Sequence, residues 1–293
     1  MRRRFFLIVN PGAGVAGVPL VEDVVRLLEA AGASVTRATP ADSTASRLAA
    51  RGAADSGRYD AIVAAGGDGT IRQSAAALIG CDAPLGIIPV GTGNVLAHEI
   101  GLAATPAAVG DMLLHGPVAR VACGRANGEP FLLMTGAGFD ARVVAALDQR
   151  LKSRLGKVAY AGPVLGALIR PVDRLSLTID GRLHTASWAV ISNARHYGGR
   201  FVLAPRAGIR ERGLEAILFK AQNSAVLAGQ LMSLAMGQLD ARAARGDVEM
   251  LRCSRVTVAT HRPVPTQIDG DVFGTTPLEV DAGSAEIGLI FPR

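Results

Sequence analysis

The chain has 293 residues, of which 49% are hydrophobic, and carries a net charge of +6 with a pI near 9.8. This length suits one large or two ordinary domains. The charge favours anionic partners such as a nucleotide, an acidic membrane surface or nucleic acid. Only 4% of the residues are aromatic, which disfavours a protein that binds single-stranded nucleic acid by stacking. The three cysteines are far apart, which argues against a disulfide framework or a zinc site and favours the reducing cytosol.

The first predicted element, residues 5–9, is a fully apolar strand of the kind that a parallel sheet buries on both faces. The three arginines before it imitate a signal peptide, but the apolar run is too short and ends at Asn10. No run of the sequence reaches the length of a membrane span.

Strands and helices then alternate along the chain. Further strands are expected over 34–38, 61–65 and 85–88, and helices over 19–31, 42–54, 70–79, 95–100 and 105–115. This alternation is typical of a doubly wound α/β domain with a parallel sheet. Ligands of such sheets lie outside the carboxyl ends of the strands.

Near residue 120 the pattern changes to hairpin signals. Asn127-Gly128 separates apolar stretches at 118–123 and 131–134, and Asp180-Gly181 separates those at 175–179 and 183–191. Strands are also expected near 214–220, 256–260, 278–280 and 287–291, and helices near 141–150, 158–169 and 224–242. The sequence therefore predicts an α/β domain over 1–122 and a mainly antiparallel β-sandwich domain over 123–293.

The most informative stretch joins the strand at 61–65 to the next helix and reads Gly66-Gly67-Asp68-Gly69-Thr70. Glycines leave backbone N–H groups unshielded, and the N-terminus of a helix attracts anions such as phosphate. A carboxylate beside phosphates needs a cation between them, so Asp68 indicates Mg²⁺. The alternative is a tight turn in which Asp68 caps the helix. A second glycine turn, Gly91-Thr92-Gly93-Asn94, is expected on the same sheet edge.

Three other signals have two interpretations each. Gly12, Gly14 and Gly17 have the spacing of a dinucleotide fingerprint, but the helix is expected to start after them and no acid ends the second strand. The stretch from Asp269 to Asp271 is a hairpin turn or a source of a general base. The basic residues Arg150, Lys152, Arg154 and Lys157 form a solvated face or contact an anionic membrane.

Taken together, these motifs resemble the diacylglycerol kinase catalytic family, which includes bacterial lipid kinases and sphingosine kinases. The matching motifs follow one another in order: Asn10-Pro11-x-x-Gly14, residues 66–70, Pro89 to Asn94, Ile100-Gly-Leu102, Gly136-x-Gly138-Phe139-Asp140-Ala141, Asn193 with Tyr197-Gly198-Gly199, Leu203-Ala-Pro205, and Asp269-Gly270.

The resemblance implies two domains with ATP in the cleft between them and transfer of a phosphoryl group to a lipid hydroxyl. It assigns the ATP contacts and phosphate turns to Asn10, Thr39, Gly66, Gly67, Asp68, Gly69, Thr70, Ile71, Arg72, Gln73, Gly91, Thr92 and Gly93. Asp271 takes the place of a family glutamate that accepts the proton, and Asp68 is the expected metal ligand and second catalytic residue.

Several positions depart from the family pattern. Ala13 occupies a position that is usually serine in the family, and Arg72-Gln73 occupy positions that are usually Asn-Glu. Val95 and His98 occupy positions that are often Asp and Arg. Ala122 occupies a frequent aspartate position. Arg212 stands where an aspartate often holds a structural Mg²⁺, whose charge Arg212 could replace.

The leading hypothesis is a cytoplasmic, ATP- and Mg²⁺-dependent lipid kinase of phospholipid metabolism, peripheral at the inner face of an anionic membrane and without a nucleic-acid partner. The alternatives are an NAD kinase-like enzyme and a catalytically silent lipid- or nucleotide-binding protein. The identity of the lipid substrate stays open. The oligomeric state stays open too, and a homodimer is one of the alternatives.

Overall fold

The computed structural model describes residues 1–10, 18–147 and 156–293. The glycine-rich segment 12–17, with Pro11, lies outside the described residues, and so do Arg150, Lys152, Arg154 and the side chain of Lys157. The chain divides into two compact units, Met1–Val121 with Ala285–Arg293, and Ala122–Ser284.

The first unit is built around a six-stranded sheet with the order β2-β1-β3-β4-β20-β5. Strand β1 pairs in parallel with β2 and with β3, and β4 pairs in parallel with β3 and with β20. Every residue of β3 is buried, as expected for a strand covered on both faces. The strands are β1 Arg4–Val9, β2 Ser34–Ala38, β3 Ala61–Gly66, β4 Leu85–Pro89, β5 Val118–Ala122 and β20 Glu286–Ile290.

Five described helices lie between these strands, and in two of them the side chain of the N-cap residue caps the helix. The Asp42 carboxylate accepts from the Ala45 N–H at 2.8 Å, and the Thr105 hydroxyl accepts from the Ala108 N–H at 3.3 Å. Such caps satisfy N–H groups that a helix start leaves open. The helices are α1 Val18–Ala30, α2 Ser43–Asp55, α3 Asp68–Leu78, α4 Val95–Glu99 and α5 Pro106–His115.

The C-terminal strand departs from the expected domain division. Residues 285–293 were assigned with the second domain, but they belong to the first unit, where β20 lies between β4 and β5. Leu289 pairs with Leu85. Local sequence pattern does not reveal a pairing between strands about 200 residues apart, so the apolar stretch predicted a strand without its sheet.

The second unit is an antiparallel sandwich of two six-stranded sheets, ordered β10-β9-β16-β19-β6-β7 and β15-β14-β11-β8-β17-β18. Its core combines apolar side chains of both sheets, such as Leu177 and Val256 of the first with Ile191 and Leu218 of the second. The predicted fold class, an α/β domain followed by a β-sandwich, is confirmed. The strands are β6 Gly124–Ala126, β7 Glu129–Phe131, β8 Met134–Ala137, β9 Leu175–Ile179, β10 Arg182–Ala186, β11 Trp188–Ser192, β14 Leu214–Phe219, β15 Val248–Cys253, β16 Arg255–Ala259, β17 Pro265–Ile268, β18 Asp271–Thr275 and β19 Leu278–Asp281.

The hairpin signals identified turns better than strand ends. Asn127-Gly128 and Asp180-Gly181 both have two positive φ angles, as a type I′ turn requires. However, 118–122 is β5 of the first sheet, and 124–126 pairs across the turn instead. The expected strand 183–191 is two strands, β10 and β11, in different sheets.

The second unit also contains short helices and a small two-stranded sheet. The expected helix over 224–242 is two helices, separated near Gly237, which has a φ of 67°. The elements are α6 Phe139–Ala145, a 3₁₀ helix Gly156–Tyr160, α7 Ala161–Leu168, α8 Ser224–Ala235 and α9 Leu239–Ala244, with β12 His196–Tyr197 pairing β13 Phe201–Val202. Within the described residues, no helix combines the length and the apolar character needed to cross a bilayer.

Candidate phosphate-binding turns and carboxylate network

The sheet order of the first unit gathers most of the expected nucleotide contacts. Thr39 follows β2, Asn10 follows β1, the turn 66–70 follows β3 and the turn 91–94 follows β4. These four strands are adjacent and parallel. The residues therefore lie along one continuous stretch of the carboxyl edge, where open α/β sheets bind ligands.

The first glycine turn leads directly into α3. A Cβ on Gly66 would come within 2.5 Å of the Thr70 side chain, so that position has no room for a larger residue. The Thr70 hydroxyl in turn accepts from the Asn10 amide nitrogen at 2.8 Å. Gly67 precedes the helix without a side-chain cap. Residue 67 therefore has no side chain that covers the first N–H groups of α3. Such uncovered N–H groups at a helix N-terminus are what phosphate binding needs.

The second glycine turn packs against the first. A Cβ on Gly91 would lie 2.5 Å from the Cα of Gly67, and the Val90 N–H donates to the Gly66 carbonyl at 3.2 Å. Asn94 ends the turn in the left-handed region, with a φ of 47°. The two turns thus form one unit in which glycine is required by close contact of the backbones.

Asp68 connects the two turns through its carboxylate. Its oxygens accept from the backbone N–H groups of Val95 at 3.1 Å and Leu96 at 3.2 Å. Because Asn94 makes no side-chain cap, Asp68 caps α4 from outside. The alternative expected from the sequence, that Asp68 caps a helix, is therefore correct in that its carboxylate accepts from helical N–H groups. The capped helix is α4, however, and not α3, which Asp68 begins.

Two arginines lie in and beside α3. Arg72 is buried with 6% exposure, and the Arg47 Nε donates to the Gln73 amide oxygen. The pKa of Arg47 is lowered, first by burial and then by the positive charge of Arg72. Sequence analysis missed Arg47, which lies on α2 and reaches this region only through the packing of α2 on α3. Cations here favour an anionic ligand.

The same turns can be tested for a fit to Mg²⁺. In residues 1–10, 18–147 and 156–293, no group of three or more His, Cys, Asp or Glu side chains could hold a metal ion. Asp68 retains further acceptor capacity beside its two N–H donors. Mg²⁺ often uses only one or two carboxylates together with water and substrate phosphates, so Asp68 fits an ion that arrives with a nucleotide.

In the second unit, the turn at Asp269-Gly270 separates two carboxylates with different environments. Asp269 is buried, and its oxygens accept from the N–H groups of Leu132, Leu133 and Met134, each at 2.9 Å. Asp271 begins β18 and is only half-buried. The carboxylate of Asp269 thus holds the backbone at the start of β8. Asp271 is the carboxylate with access to solvent.

A second buried carboxylate joins the same turn. Asp140 accepts from the Ala141 N–H at 2.8 Å and from the Gln267 amide at 3.1 Å, and the Gln267 oxygen accepts from the Gly270 N–H at 2.9 Å. Burial raises the pKa of Asp140 to about 7, although both hydrogen bonds oppose that shift. Gln267 therefore links a carboxyl group that titrates near neutrality to the residue before Asp271.

The segment where a structural Mg²⁺ was considered contains an arginine side chain. Arg252 donates to the backbone carbonyl oxygen of Arg206 and, at 3.1 Å, to that of Arg212. It also pairs with Glu211 at 3.5 Å. The positive charge at these carbonyls thus comes from the guanidinium of Arg252. The expectation from the sequence was that the side chain of Arg212 could replace the charge of the metal.

Comparison with known proteins agrees with the motifs. A family model of the diacylglycerol kinase catalytic domain matches residues 4–126, and a model of the YegS C-terminal NAD kinase beta sandwich-like domain matches residues 134–291. A protein named diacylglycerol kinase from Mycobacterium tuberculosis is 27% identical over 298 residues, covering 98% of this chain and 94% of its own. A Bacillus subtilis protein of the same name is 25% identical over 300 residues, covering 99% and 97%.

A solved structure supports the same architecture. The crystal structure of a diacylglycerol kinase from Bacillus anthracis has a TM-score of 0.72 and 18% identity, covering 100% of this chain and 98% of that one. At this identity the likeness concerns the fold. Together, the matched domains and the ordered motifs show that the chain belongs to the diacylglycerol kinase catalytic-domain family and is a lipid kinase.

Proposed function

We propose that this lipid kinase uses ATP to phosphorylate the hydroxyl group of a diacylglycerol-like lipid alcohol. The observation that carries the proposal is the paired glycine turn, in which Gly67 and Gly91 touch beside the start of α3. Bare backbone at a helix N-terminus favours phosphate. The names of the relatives from M. tuberculosis and B. subtilis support the choice of lipid.

The nucleotide contacts that we propose follow the sheet edge. Residues 66–70 and 91–94 would hold the phosphates. Residues 71–73, with Asn10 and Thr39 at the ends of the neighbouring strands, would complete the ATP contacts. Arg47 and Arg72 would supply positive charge near the start of α3. Since phosphoryl transfer depends mainly on positioning and on neutralising charge, these groups supply most of what the donor side of the reaction needs.

Mg²⁺ would be held by Asp68 together with phosphate oxygens and water, and it would supply charge neutralisation at the phosphates. The protein contribution at this point is the fixed carboxylate. Asp68 is held by the N–H groups of Val95 and Leu96, so its direction is set by α4 before any ligand binds.

For the acceptor, we propose that Asp271 takes the proton from the lipid hydroxyl. It is the more accessible of the two turn carboxylates, whereas three N–H groups donate to the buried Asp269. Gln267 would act as a positioning residue, because it holds the Gly270 N–H. A general base of this kind contributes roughly 100-fold or more to a rate.

Because lipid alcohols reside in bilayers, we also propose that the chain works at an anionic membrane surface as a peripheral protein. The net charge of +6 supports attraction to acidic lipids. A homodimer stays a prediction that the solution mass would test.

The test is an acceptor panel. The protein would be incubated with labelled ATP and Mg²⁺ and with diacylglycerol, monoacylglycerol, a sphingoid base, a polyprenol or NAD, and each product would be identified by mass. Phosphorylation of diacylglycerol that Asp271→Asn lowers by about 100-fold would support the proposal. Phosphorylation of NAD alone would establish the NAD kinase alternative, and ATP binding without any product would establish the silent one.

A further inference from the structure

Two neighbouring helical segments of the second unit expose only apolar or small side chains. In the segment 158–169, the exposed residues are Val158, Ala161, Gly162, Leu165 and Ile169, which recur with the spacing of one helix face. Val158, Leu165 and Ile169 are 71%, 63% and 77% exposed. A surface helix ordinarily buries its apolar stripe and exposes its polar face, so this segment is reversed.

Helix α8 shows the same reversal. It contains no charged residue, and its exposed positions are Ala225, Ala228, Met232 and Ala235. Met236, which follows the helix, continues the stripe. Met232 and Met236 are 62% and 60% exposed. The faces that α8 buries contain Leu227, Gln230 and Leu234.

The elements that bear these stripes are in contact with one another. Helix α8 packs against α7 and against β13, where Phe201 is 40% exposed. The Ser224 hydroxyl donates to the Arg170 carbonyl at 3.4 Å and ties the two helical segments together. We name this surface the apolar helix face and define it by Val158, Leu165, Ile169, Phe201, Met232 and Met236.

The three stretches of chain that form the apolar helix face carry charges of one sign. The stretches 156–172, 193–202 and 221–238 contain four basic residues and neither aspartate nor glutamate. Of the basic residues, Arg170, Arg195 and Arg200 are exposed. An apolar surface with an arginine rim is complementary to a bilayer with acidic headgroups, because methionine, leucine and isoleucine enter the headgroup boundary while guanidinium groups meet the phosphates.

We propose that the apolar helix face is the surface by which this protein docks on an anionic lipid bilayer. This inference rests on the proposed function, since the lipid acceptor resides in that bilayer, and it names the residues that contact it. Single scattered apolar side chains are normal on protein surfaces, but a contiguous apolar patch marks an interaction site.

A second copy of the chain is the other occupant to consider, and the charges oppose it. A two-fold interface places each surface patch against itself. Such an interface would bring Arg170 and Arg200 towards the same arginines of the other copy, with no carboxylate from these stretches to neutralise them. Like charges brought together across an interface are unfavourable.

The proposal is tested by flotation of the full chain with vesicles of phosphatidylcholine, with and without phosphatidylglycerol. Binding is measured without ATP, so it does not depend on whether the protein phosphorylates any lipid. We expect binding to the mixed vesicles and a loss of at least ~10-fold in the double variant Leu165→Ser/Ile169→Ser, because both side chains lose apolar transfer free energy. Arg170→Gln should weaken binding about fivefold, and only where the acidic lipid is present.

Leu183→Ser is the matched control, because Leu183 is 83% exposed in the same unit but lies on β10, outside the apolar helix face. It should bind like the wild type. Equal losses for Leu183→Ser and the double variant, or no vesicle binding by the wild type, would overturn the proposal. A wild-type dimer that the double variant converts to a monomer, with vesicle binding unchanged, would assign the face to a second copy instead.

Discussion

Gly91 lies against Gly67 so closely that an added Cβ on Gly91 would come within 2.5 Å of the Gly67 Cα. This contact joins the turns after β3 and β4 into one unit. The backbone atoms that would receive phosphates in one turn are therefore positioned by the other turn.

We predict that Gly91→Ala forces the two turns apart. Overpacking of this kind costs about 1–3 kcal/mol of stability, and ATP affinity should fall at least ~10-fold, because a shift of one turn displaces donors that must converge on the ligand. Thermal unfolding and ATP titration would measure the two effects.

The control is Gly52→Ala, within α2, where an added Cβ meets nothing within 4 Å. Alanine stabilises a helix interior by about 1 kcal/mol relative to glycine, so this variant should unfold at the same or a higher temperature and bind ATP normally. Normal ATP affinity in Gly91→Ala would show that the contact between the turns is irrelevant to the ligand.

Asp68 has a capping role and a proposed metal role, which different substitutions separate. Asp68→Ala removes the acceptor for the Val95 and Leu96 N–H groups, which should cost about 0.5–2 kcal/mol of stability. Asp68→Asn keeps one acceptor oxygen but turns its NH₂ group towards the other N–H donor, so it should keep only part of that stability. If Asp68 also binds Mg²⁺, Asp68→Asn should still lower kcat by roughly 100-fold, the scale of a lost charge-stabilising group.

The measurements are thermal unfolding and kcat as a function of Mg²⁺ concentration. Full activity of Asp68→Asn would leave Asp68 with the cap alone.

Local sequence was sufficient for the strand β3, the glycine turn after it and the helix α3, because each depends on residues close in the chain. It did not identify the target of Asp68, since the capped N–H groups come from residues 95 and 96 and depend on how the turns pack. Arg47 was missed for the same reason. Likewise, β20 was predicted as a strand, but its place beside β4 depends on contacts about 200 residues apart in sequence.

Asp269 and Asp271, on either side of Gly270, should respond differently to the same substitution by asparagine: the first should lose stability and the second activity. Asp269→Asn would turn an NH₂ group towards buried N–H donors, and each donor left unsatisfied costs about 1–3 kcal/mol. Asp271→Asn should change stability by no more than about 0.5 kcal/mol, as is usual for accessible positions, but should lower lipid phosphorylation by about 100-fold.

Urea unfolding and initial rates on both variants would measure this contrast. An unchanged rate in Asp271→Asn would remove Asp271 from the mechanism, and unchanged stability in Asp269→Asn would contradict its structural role.

Asp140 makes stability depend on pH. Its pKa is raised to about 7 by burial, whereas an unfolded aspartate titrates near ~3.9. Between these values the folded protein retains a proton that the unfolded chain has released, so the free energy of unfolding falls as pH rises, by up to roughly 1.4 kcal/mol per pH unit. Below that window the protonated group costs nothing extra, and above pH ~7 the loss is complete.

Carboxylates with lowered pKa values, such as Asp60 and Glu249, have the opposite pH dependence, so the informative quantity is the difference between wild type and Asp140→Asn. Unfolding curves from about pH 4 to about pH 8, which span the window between the two pKa values, should show wild-type stability falling relative to the variant up to pH ~7. A constant difference across this range would contradict a raised pKa of Asp140.

The central claim is that this chain moves the terminal phosphoryl group of ATP to a lipid hydroxyl. The most direct measurement incubates the protein and a total lipid extract with ATP labelled either at the γ- or at the α-phosphate, and then counts the label in the extracted lipid. We expect a labelled lipid from γ-labelled ATP only, with about 100-fold less from Asp271→Asn. No labelled lipid, or equal labelling from α-labelled ATP, would contradict it.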